Sequence, residues 1–98
     1  MRPINATGWA RIKETPVFAA APTGSPQVFW NWARGQDATA QRVAWFLLRM
    51  ADAMEKEDGL ESFDQAGSTF DPDRFAILPK ETRALMADFM LDPLRYIV

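Results

Sequence analysis

The chain contains no cysteine and no histidine. The first absence excludes disulfides, thiol nucleophiles and thiolate metal sites. The second removes the most common general base and the most common metal ligand. Long apolar runs are also missing. The longest is Val43–Leu48, far short of the roughly 20 residues a membrane-spanning helix needs. The alanines of Val17–Ala21 follow Arg11, Lys13 and Glu14 and end too soon for a secretory leader. A cytoplasmic location, or one within a virion, is therefore expected. The five glycines, Gly8, Gly24, Gly35, Gly59 and Gly67, form no phosphate-binding pattern. There is no internal repeat and no heptad run.

What is present suits one small domain. Of the 98 residues, 48% are hydrophobic and 24% charged, an ordinary globular balance that argues against disorder of the whole chain. The net charge of −2 hides an asymmetry. Residues 1–36 carry Arg2, Arg11, Lys13 and Arg34 against Glu14, while the rest of the chain is acidic. A basic leading segment can thus lie on an acidic body. Such a body is a poor match for nucleic acid, because neutralising phosphates needs a basic surface.

Along the chain, residues 1–24 are broken by Pro3, Pro16 and Pro22 and hold no lasting period. They read as an extended N-terminal arm anchored by Trp9, Ile12, Val17 and Phe18. Removing the arm is expected to leave a folded helical body. Asn5-Ala6-Thr7 matches a glycosylation sequon and is taken as chance.

Residues 25–98 read as a single helical domain. Ser25 and Pro26 open a short helix, and Gly35 closes it. In that helix Phe29, Trp32 and Ala33 share a face that Trp30 leaves. Asp37 caps a long amphipathic helix running to Glu57, with Lys56 and Gly59 marking its end. Its apolar stripe is Ala40, Val43, Ala44, Leu47, Met50, Ala51 and Met54. Leu60 to Thr69 reads as a connector, and Pro72–Ala76 as one helical turn. A last helix spans Pro79–Leu91, with Leu78, Leu85, Met86, Phe89 and Met90 toward the core. Asp92-Pro93 ends it, leaving an apolar tail, Leu94 to Val98, pinned by Tyr96 and Ile97. The expected fold is mainly α: a small bundle of three to four unequal helices with an extended, proline-broken N-terminal arm.

Catalytic vocabulary is sparse. With Gly59 at the sixth position of a calcium loop, Met54, Lys56 and Gln65 fall where ligands belong. Glu55, Glu57, Asp58 and Glu61 therefore read as a solvated helix end. Ser25 and Ser68 suit cap and loop roles, and Asp71 and Asp73 suit a helix start. No enzymatic activity, metal, cofactor or small-molecule substrate is expected. A helix-turn-helix over Pro72–Ile77 and Pro79–Leu91 would read DNA through Lys80, Thr82 and Arg83. Glu81 and Asp88 on the same helix disfavour it.

One aromatic stands out. At roughly 100° per residue, Trp45 points away from the apolar stripe of its helix, among Gln41, Arg42, Arg49, Asp52 and Lys56. Something must cover it. The candidates are the arm, through Trp9 or Phe18 with Arg42 and Arg49 stacked on the indole, or a binding partner. Trp and Arg are enriched at binding hot spots. Trp45, Arg42 and Arg49, with Trp30, Trp32 and Trp9, are therefore the candidate protein-binding residues. Phe46 and Leu48 are expected to extend the apolar patch around Trp45. The functional expectation is a non-enzymatic protein–protein interaction module, a small structural or assembly subunit of a larger complex, viral complexes included. Its partner would be another protein or other copies of itself. The alternatives are a small acidic inhibitor or adaptor using Asp52, Glu55, Glu57 and Asp58 on one host protein, and a helix-turn-helix DNA-binding protein.

Overall fold

The computed structural model describes residues 3–55 and 75–98. The chain is a mainly α-helical bundle, with five α-helices among the described residues. In order they are α1 (Ala6–Glu14), α2 (Pro26–Ala33), α3 (Ala38–Ala53), α4 (Lys80–Leu91) and α5 (Pro93–Tyr96). A 3-10 turn, Pro16–Phe18, follows α1. The long helix ends at Ala53, with Met54 as its C-cap, short of the expected Glu57; Lys56 to Gly59, the Leu60–Thr69 connector and the first residues of the Pro72–Ala76 turn lie outside the described residues.

The N-terminal segment differs from the extended arm expected of it. Asn5 adopts an extended conformation and its side-chain oxygen accepts from the Gly8 N–H at 2.8 Å, an N-cap that starts α1. Arg11 and Lys13 occupy the last turn, where positive charge complements the helix dipole. Thr15, ahead of Pro16, returns to extended geometry and ends it. The helix escaped the sequence reading because it buries only Gly8, Trp9 and Ile12. That is about one turn of periodicity, less than a helical pattern needs to stand out. Asn5 is thus a cap rather than an idle sequon residue.

The caps of α2 and α3 form as expected. The Ser25 hydroxyl accepts from the Val28 N–H at 3.4 Å, and the Asp37 carboxylate accepts from the Ala40 N–H at 2.9 Å. Gly35 sits just past α2 without a left-handed backbone; among the described residues the positive φ, 98°, falls at Gly24, just before the Ser25 cap that opens α2. α4 begins after Pro79, whose carbonyl accepts from the Thr82 hydroxyl at 2.7 Å.

α3 is the central helix. It packs on α2, on α4 and on the 3-10 turn. All of its expected stripe from Ala40 to Ala51 is buried, and so are Phe46, Leu48 and Ala53. Phe46 therefore belongs to the core and does not widen the patch around Trp45, whereas Leu48, though buried, keeps an edge on the apolar surface beside it. Neighbouring helices cover α3 on three sides, so its buried arc exceeds the stripe that a helix packed on one side would show.

The core runs through every element. Ile12, Phe18, Phe29, Val43, Leu47, Leu85, Phe89 and Ile97 are all buried in one cluster. Fully burying each large apolar side chain is worth about 1.5–3 kcal/mol. The C-terminal tail closes on α1: Ile4 and Ile97 form an antiparallel bridge, and the Asn5 N–H donates to the Tyr96 carbonyl at 2.9 Å. Tyr96 stacks on Phe89 with centroids 4.6 Å apart. The basic leading segment does meet the acidic body, through Arg11 Nε donating to Asp88 Oδ2 at 2.7 Å.

Candidate interaction surface

α3 leaves one arc of its circumference to solvent. Ala38, Gln41, Arg42 and Trp45 are exposed there, and Arg49 and Asp52 are half-buried. Trp45 is 48% exposed, high for a residue type that is well buried on average. Its position follows from helical geometry alone: residue 45 lies nearly opposite Leu47, which is fully buried.

Among the described residues, the aromatic cover on Trp45 comes from α2. Trp30 turns about 100° away from Phe29 on its helix and reaches across to α3. The two indoles meet with centroids 5.6 Å apart and ring planes 50° apart. Arg49 lies over the Trp45 ring, its guanidinium carbon 5.8 Å from the centroid, within range of a cation–π contact. Of the two arginines expected on the indole, Arg49 lies over the ring, and the second contact comes from Trp30.

The N-terminal segment does not cover Trp45. Trp9 and Phe18 are buried in the core, where each packs on Phe29, at 5.4 and 5.3 Å between centroids. Trp9 is therefore no part of an accessible surface. Trp32 is half-buried and lies 6.3 Å from Phe18, on the core side of α2. Of the six residues singled out from the sequence, the fold brings together Trp30, Trp45, Arg49 and the exposed Arg42. It keeps Trp9 and Trp32 apart from them.

A groove of ≈ 490 Å³ opens beside the Trp pair. Trp30, Trp45 and Leu48 supply its apolar lining, Arg49 and Asp52 one bank, and Ser25, Pro26 and Gln27 the other. The α2 contribution was missed in the sequence, although Pro26, Gln27 and Trp30 have the three- and four-residue spacing that places them on one helical face. Arg49 and Asp52 approach only to 4.0 Å, with both side chains about two-fifths exposed (40% and 39%). Such a pair contributes little to stability and leaves both groups able to engage a partner.

Other regions offer less. Leu91, Leu94, Val98 and Ile77 are exposed around α4 and the tail, while Tyr96 and Ile97 hold that tail down as expected. Among the described residues no cluster of three or more Asp or Glu is placed to hold a metal, and no helix is long and apolar enough to cross a membrane. Thr82, expected to face DNA in the helix-turn-helix alternative, is 1% exposed and its hydroxyl is committed to Pro79. Fold and surface together define a small, mainly α-helical bundle with an aromatic strip and groove on its central helix. No protein-family model, no curated protein and no solved structure matches the chain.

Proposed function

We propose that the chain is a non-enzymatic protein–protein interaction module, a small subunit of a larger assembly, that binds through the outer arc of α3. The observation that carries this reading is the half-exposed Trp45, paired with Trp30 and overlaid by Arg49, at the edge of an apolar groove. Trp and Arg dominate binding hot spots because a large rigid ring and a forked cation gain most when a partner excludes water from them. Internal packing gives no reason for an indole to remain half in solvent between charged residues.

The reading is tested by photo-crosslinking in the producing cell. A photoreactive amino acid replaces exposed Gln41, beside Trp45 on the arc, and Lys13 serves as an exposed control outside it. Discrete protein adducts from position 41, lost when Trp45→Ala is added, are the expected result. Equal labelling from both positions, or none from position 41, overturns the proposal.

A further inference from the structure

We draw no further inference here: the strongest candidate, the apolar groove lined by Trp30, Trp45 and Leu48 between α2 and the outer arc of α3, belongs to the surface already described, and nothing in the structure shows what covers it.

Discussion

Ile4 and Ile97 pair across an antiparallel bridge that ties the segment before α1 to the tail after α5. Gly8 makes that closure possible. A Cβ on Gly8 would lie 2.5 Å from the Tyr96 carbonyl oxygen and 2.6 Å from the Ile4 side chain. Gly8→Ala therefore destabilises by about 1–3 kcal/mol, although alanine is the better helix former by about 1 kcal/mol. A thermal melt reads the result as a fall of about 4–8 °C per kcal/mol in a domain of this size. An unchanged or raised Tm would mean that the closure tolerates a methyl group.

Deleting residues 1–24 removes Ile4, Trp9, Ile12, Phe18 and Ala21 from the shared core. Large-to-small changes at single core positions cost about 2–5 kcal/mol, against a total stability of about 5–15 kcal/mol. The truncated chain is expected to lose its cooperative unfolding transition and to bind a hydrophobic dye. This reverses what the proline-broken sequence suggests, and a cooperative melt from the truncated chain would restore the idea of a dispensable arm.

Phe29 is the hub of the aromatic core, touched by both Trp9 and Phe18. Phe29→Ala is expected to cost about 3–5 kcal/mol in urea-denaturation midpoint and slope analysis. Trp45→Ala, in the separate Trp30–Trp45 pair, is expected to cost about 0.5–1.5 kcal/mol from the lost ring contact. It should remove association while leaving the bundle folded. Equal losses at the two positions would place Trp45 in the core.

Arg11 and Asp88 join α1 to α4 at 2.7 Å, with the side chains 20% and 42% exposed. A double-mutant cycle through Arg11→Met and Asp88→Asn is expected to give a coupling of about 0.5–1 kcal/mol that shrinks as salt is added. No coupling at low salt would show that the two side chains do not meet in solution.

The sequence by itself determined the helical class, most helix starts, and the odd position of Trp45. These are local quantities: Ser25 and Asp37 cap because their side chains reach a backbone N–H three residues on, and a 3.6-residue period sets which way residue 45 faces. Burial of Phe29 and Ala33, and of Leu85 and Phe89, was legible for the same reason. Only the tertiary structure decided what each face meets. α1 buries about one turn of residues, so its helix is held by contacts with α5 and α4 that no local pattern announces. Phe46 and Leu48 look surplus on a helix packed on one side, and they are buried because α3 has neighbours on three. Trp9 and Phe18 were equally able to cover Trp45 on paper. Close packing of α1 and the 3-10 turn around Phe29 commits them to the core, and leaves Trp45 to Trp30, to Arg49 and to whatever docks on the arc.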